Sequence, residues 1–394
     1  MSYNFDQIID RHNTFSNKWD QTEKLFGDKD ALPMWIADMD FPAPPEVIQA
    51  LRERIDHGIY GYTLKPDSYF QALIDWVERR QGWTIQKEWI TSSPGIVTAL
   101  SILVSTLTEP GDKVLIQTPV YPPFFQVVKR NKRELVTNEL QLENGRYTID
   151  FAQLEQQFKA GVKMMLLCSP HNPVGRVWTK AELERLGALC VQYGVIVVSD
   201  EIHADLLFSG HVHQPFAPLS EALLQQTVTC YAPSKTFNVA GLKSSFVIIA
   251  NDALRAKYDE MLYNLNLESE SFFGVSAVEA AFRHGESWLI SLMEYVEENL
   301  QLLLDTFAKR IPQIEVIQPE GTYLVWLDCR KLGLDSSELH AFMCKKAKVG
   351  LNQGTAFGTD GAGFLRMNIA CPRSILVDGL DRIERAVNEA FPQK

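Results

Sequence analysis

The sequence predicts an α/β protein: a large domain around a mostly parallel sheet, then a smaller α+β domain at the C-terminal end. Three observations carry this. Between about residues 90 and 250, wholly apolar strand-like runs alternate with helical stretches, the pattern of a sheet buried on both faces. Residues 252–310 are almost continuously helical in pattern. The remainder reads strand, helix, strand, helix.

Taken in order, the first 45 or so residues form an arm. Its stretch "LPMWIADMDFPAPP" is rich in proline, which predicts an extended, clamped segment. An amphipathic helix follows at 46–57, with Val47, Ile48, Leu51 and Ile55 on one face. "SSPGIVTAL" (92–100) is a turn that opens a helix reaching to about 108. "DKVLIQTP", "VKMMLLCSP", "VIVVSDE", "TVTCYAPSK" and "SSFVIIA" are the strands. "TKAELERLGALCVQYG" is a helix with a capping box, Thr179 with Glu182. "TYLVWLDCR", 335–347, "GFLRMNIA" and 373–391 complete the chain. The division is an arm over 1–45 that is part of the small domain, a large domain over 46–285, and the small domain over 286–394.

Composition narrows the function. The 394 residues are 46% hydrophobic and 22% charged, with a formal net charge of -11. An acidic surface argues against nucleic-acid and anionic-membrane partners. No apolar run approaches the roughly 20 residues that span a bilayer. The opening "MSYNFDQIIDRHN" has no apolar signal core. The six cysteines are scattered without CxxC spacing, which fits a reducing cytoplasm and no zinc site. "HVH" at His211 and His213 lacks further ligand spacing, so no metal is expected.

Chemistry collects where strands end. Ligands of open parallel sheets bind at the carboxyl ends of the strands. There "SPHNPVG" offers Asn172, "SDEIHAD" offers Asp200 and "PSKTFN" offers Lys235. A carboxylate after "VIVV" needs a cationic partner. The helix start at Gly95, Ile96 and Val97 is suited to a phosphate. Ser234 and Lys243 add a hydroxyl and a charge. A phosphorylated ligand with a carbonyl for Lys235 and a basic ring nitrogen for Asp200 satisfies every group. Pyridoxal 5′-phosphate is such a ligand.

These motifs, in this order, resemble the pyridoxal-phosphate enzymes of the aspartate aminotransferase fold (fold type I, class I/II aminotransferases). The shared pattern is Asn172-Pro173-Val174-Gly175, then Asp200-Glu201, then Ser234-Lys235 through Gly241 to Lys243. Within that family the chain most resembles the MalY/PatB group of cystathionine (cysteine-S-conjugate) β-lyases. The words that carry this are "LPMWIADMDF", "YGYT", "TPVYPPF", "LLCSPHNPVGRVW", "SDEIHADL" and "APSKTFNVAGL". Most aminotransferases have tyrosine three residues after the aspartate; this chain has His203, as the lyase group does. The usual phosphate arginine is Lys243 here, and lysine is a point charge rather than a fork.

The resemblance implies the following roles. Lys235 attaches the cofactor as an imine and then acts as base at Cα. Asp200 pairs with the ring nitrogen, Asn172 bonds the ring oxygen and Tyr121 stacks on the ring, with His203 beside it. Gly95, Ile96, Val97, Ser234 and Lys243 hold the phosphate. Tyr62, preferred over Tyr60, reaches the phosphate of a neighbouring subunit, which makes the active unit a homodimer. Arg366 clamps the substrate carboxylate, with Ala37, Asn172 and Tyr121 also facing the substrate. Gly241 lets the backbone turn between Lys235 and Lys243. The implied reaction is C–S β-elimination on L-cystathionine or cysteine S-conjugates, giving thiol, pyruvate and ammonia. Two alternatives stand beside it: an aminotransferase using the same site, and a cofactor-binding regulatory protein that works through a protein partner.

Overall fold

The computed structural model describes residues 3–392. Its main sheet has seven strands: β1 (Ile90–Ser93), β2 (Lys113–Thr118), β3 (Glu134–Glu139), β4 (Val162–Cys168), β5 (Ile196–Asp200), β6 (Thr227–Tyr231) and β7 (Ser245–Ile248). They lie in the order β1-β7-β6-β5-β4-β2-β3. Strands β2 to β6 are mutually parallel, and β7 runs antiparallel to both β6 and β1.

The apolar runs explain this sheet. Val114 and Ile116 point into one core with Val198 and Val228, against the helices Ile96–Leu107, Pro122–Arg130 and Asp252–Asn264. Leu115 points the other way, with Met165, Leu167 and Val197, against Phe151–Lys159 and Lys180–Tyr193. Both faces of each central strand are thus apolar, so alternation disappears and the strands read as solid hydrophobic runs. Strand β3 lies at the edge and is partly exposed, which is why "ELVTNE" carries little apolar signal. The capping box at Thr179 forms in both directions.

The C-terminal stretch builds a second, antiparallel sheet. Its strands are β8 (Glu315–Ile317), β9 (Leu324–Asp328), β10 (Asn352–Gln353) and β11 (Phe364–Asn368), ordered β8-β9-β11-β10. The helix Glu286–Arg310 leads into it, and Arg373–Ala390 closes it. The expected helix at 335–347 is α-helical over Ser336–Phe342 and finishes as a π-turn over Met343–Ala347. Two arm residues, Leu32 and Pro33, pair in parallel with Val349 and Gly350. After them the chain crosses from the small sheet to the carboxyl edge of the large one. Among the described residues no helix is long and apolar enough to cross a membrane.

Candidate active site

Strands β4, β5 and β6 are neighbours, and their carboxyl ends carry the polar residues of interest: Asn172 in the loop after β4, Asp200 as the last residue of β5, and Lys235 in the short helix Pro233–Thr236 after β6. Asn172, Asp200 and Lys235 therefore converge on one cavity of about 510 Å³, which Ala37, Tyr121, His203 and Arg366 also line. A second pocket of about 320 Å³ shares Tyr121 and Lys235 with it. Gly95, Ile96, Val97, Ser234 and Lys243 line that second pocket. Two independent clusters picked from sequence thus sit side by side, joined at the lysine.

Asp200 is buried, and its Oδ1 accepts only the Ile202 N–H at 3.3 Å. Burial pushes its carboxyl up to about 7, against the pull of that N–H and of Lys235. The Nζ of Lys235 donates to the Ala37 carbonyl at 2.5 Å. Burial and then the Arg366 charge push this ammonium down to about 8, opposed by Asp38 and Asp200. Burial holds His203 neutral, down at about 3, reinforced by Lys235 and Arg366. Its Nδ1 is buried without a hydrogen-bond partner.

Arg366 stands in β11, directly opposite Asn352 of β10. Its guanidinium is buried and reaches no carboxylate. It donates to Asn172 Oδ1 at 2.8 Å, Asn352 Oδ1 at 2.7 Å and the Trp35 carbonyl at 3.0 Å, and lies over the Phe357 ring at 4.8 Å. Its Nε has no partner. Burial pushes it down to about 10. A buried cation held by neutral acceptors and open on one side suits an incoming carboxylate.

The helix start also has a defined geometry. Gly95 has φ +104 and precedes Ile96–Leu107. Its own N–H is already committed, to Ser93 O at 2.8 Å and Ser245 Oγ at 3.1 Å. Gly95 therefore contributes its backbone angle, and the next N–H groups are the ones available to an anion.

Two expectations need correction or placing. Gly241 lies inside the 3-10 turn Ala240–Leu242 that ends at Lys243, but the left-handed angles of this stretch fall on Asn238 (φ 56) and Lys243 (φ 54). Asn238 tolerates that angle because its side chain bonds Met39 N and the carbonyls of Met39 and Phe41. Tyr62 lines neither pocket and is fully exposed on the segment 58–66. Tyr60 is engaged locally, stacked on Phe272 with its hydroxyl on Ile55 O. His213 is explained by Glu201, whose Oε2 it meets at 2.8 Å in a buried pair.

The cavity also holds residues that no motif indicated. Asn352 and Phe357 face Arg366, Cys168 and Ile202 line the floor, and Asn17, Trp35 and Asp38 come from the arm. Trp35, Asp38, Cys168 and Ile202 stand inside the quoted words but outside the shared pattern, and Asn17, Asn352 and Phe357 stand outside those words altogether. Strand pairing across a long sequence separation, as between 352 and 366, leaves no local signature.

The groups present fit a phosphorylated pyridine aldehyde. A protonated ring nitrogen answers Asp200, an aldehyde answers Lys235 and a phosphate answers the helix start. Comparison with known proteins agrees. The family model "Aminotransferase class I and II" matches residues 30–383. The chain belongs to that family. Among its members, cystathionine beta-lyase PatB of Bacillus subtilis is 46% identical over 386 residues, spanning 98% of this chain and 100% of that protein. Cystalysin from Treponema denticola, whose crystal structure contains a pyridoxal 5′-phosphate cofactor, superposes with a TM-score of 0.96 at 36% identity, covering 99% of this chain and 100% of that one. The PLP-bound C-S lyase of Staphylococcus hominis superposes with a TM-score of 0.91 at 35% identity, covering 98% of each chain.

Proposed function

We infer that this family member is a pyridoxal-phosphate-dependent carbon–sulfur β-lyase acting on cystathionine or related cysteine S-conjugates. The single observation that carries the reading is the cavity in which Lys235, Asp200 and Arg366 meet. Full-length similarity to cystathionine and C–S lyases supports the choice within the family.

When bound, pyridoxal phosphate supplies an electron sink for the charge left at Cα after proton removal. The chain's own residues do the rest. Arg366 binds the α-carboxylate, fixed by Asn172 and Asn352. Lys235 would take the Cα proton; its lowered affinity for a proton suits a base near neutrality. Asp200 would hold a proton at the ring nitrogen, with Asn172 at the ring oxygen and Tyr121 against the ring face. The N–H groups after Gly95, with Ser234 and Lys243, would hold the phosphate. The net reaction would take a cysteine S-conjugate and one water to a thiol, pyruvate and ammonia. An aminotransferase shares every group but requires an oxo acid to continue.

The working unit is a homodimer in which Tyr62 reaches the partner's phosphate. Its complete exposure in the single chain supports this reading. The small domain begins near 286. Six buried, unpaired cysteines suit the cytoplasm. The test is Lys235→Ala with L-cystathionine. Thiol and pyruvate release should stop, and the visible band of the cofactor–lysine bond should vanish. A normal band in the variant would refute the lysine assignment.

A further inference from the structure

The arm that carries Ala37 is tied down by charges buried beside it. Lys18 is 1% exposed, and its Nζ donates to Asp40 Oδ2 at 2.6 Å. The other oxygen of Asp40 accepts from Arg11 at 2.7 Å and from Trp19 Nε1 at 2.9 Å. Burial works against the Asp40 charge, and Lys18, Trp19 and Arg11 outweigh it, holding its carboxyl below the usual range. Arg11 also forks onto Asp38 at 2.9 and 3.3 Å and reaches Met39 O at 3.1 Å.

Buried ion pairs are poor stabilisers compared with apolar packing. What this one gives is register. Within five residues of Asp40, the Trp35 carbonyl accepts from Arg366 and the Ala37 carbonyl from Lys235; the next side chain, Asp38, lies in the cavity wall. Asn368 bonds the carbonyls of Ile36 and Asp38 from the opposite side. A shift of the arm by one residue would remove all of these contacts together.

We propose that Arg11 and Lys18 are positioning residues, which act through Asp38 and Asp40 to hold the Ala37 carbonyl as the fixed acceptor for the Lys235 ammonium. This rests on Lys235 being the reactive lysine assigned above. Around Lys235, Arg366 disfavours its ammonium and Asp38 and Asp200 favour it, His203 lines the same cavity, and the Tyr323 hydroxyl donates to the same Ala37 carbonyl at 3.1 Å. Loosening the arm takes away the Ala37 acceptor and the Asp38 charge at once.

The test compares Lys18→Met, Arg11→Met, Arg11→Lys and Trp19→Phe in the full-length chain. The first readout needs no substrate. Acetylation of Lys235 in the cofactor-free protein is followed by mass spectrometry across pH. The titration midpoint of Lys235 should fall in Lys18→Met and Arg11→Met, and Arg11→Lys should recover part of the shift. Trp19→Phe removes one hydrogen bond to the Asp40 carboxylate and leaves both ion pairs in place, so it retains the fold and shifts the midpoint least, in the same direction. In the loaded enzyme, kcat on L-cystathionine should drop about 10- to 100-fold in the two methionine variants, more than KM changes. Lower melting temperatures with wild-type midpoints and kcat would overturn the proposal and leave the knot a mere tether. If the wild type released no thiol yet the midpoints moved, the positioning role would stand and the lyase reading would fall.

Discussion

Asp200 shows how a single buried group ties folding to the cofactor. In the unfolded chain its carboxyl ionises near 3.8, and in the folded chain without cofactor near 7. Between those values the unfolded chain has lost a proton that the folded chain keeps, so rising pH favours unfolding. A cation at the ring nitrogen lowers the folded value and removes this loss. Thermal melts should therefore show the gap between loaded and cofactor-free protein widening from about pH 5 to about pH 7. A constant or shrinking gap would mean that Asp200 does not face the ring nitrogen. The carboxylate itself was legible in "SDE", because a charge after four apolar residues needs a reason. Its neighbours were not: Asn352 meets Arg366 through antiparallel pairing of β10 with β11, and Lys18 meets Asp40 across 22 residues without any repeated spacing. Gly241 does sit in the turn before Lys243, but the left-handed angles fall on Asn238 and Lys243, which no glycine signal could mark.

The loop after β4 presents Asn172, and Gly175 fastens that loop to the C-terminal sheet. Gly175 has φ +72, and a Cβ there would lie 2.4 Å from Pro319 Cβ. Its carbonyl accepts from Glu320 N at 2.8 Å and Gly321 N at 3.1 Å. Glu320 in turn bonds Val177 N and pairs with Arg176 and Arg146. Both the angle and the close approach require glycine. Gly175→Ala should lower stability by about 1–3 kcal/mol and weaken cofactor binding, because Asn172 lies three residues upstream. Denaturant unfolding and cofactor titration check both effects; an unchanged midpoint and affinity would show the loop to be adaptable. At this scale the sequence was informative. The buried strands, the capping box and the helix start at Gly95 all rest on local patterns, and all form. The edge strand β3 went unremarked since half of its surface faces solvent.

At the scale of the whole molecule, the segment 58–66 packs through Tyr60 and Lys65 and leaves Ile59, Tyr62 and Leu64 exposed. Covering such a segment by a second copy would complete the phosphate pocket from outside the chain. Co-expressed Lys235→Ala and Tyr62→Phe subunits should then recover about a quarter of wild-type activity, since half of the dimers would carry one intact site. Activity no greater than that of the two variants alone would place Tyr62 outside the partner's site. The parallel core, the arm and the small sheet converge on one act, removal of the Cα proton followed by loss of a thiolate. That act is counted by turnovers per active site on L-cystathionine with no oxo acid present. A β-lyase continues, releasing equal amounts of thiol and pyruvate over many turnovers. Cessation after a single turnover, with activity restored by 2-oxoglutarate, would contradict the assignment and mark the chain as an aminotransferase.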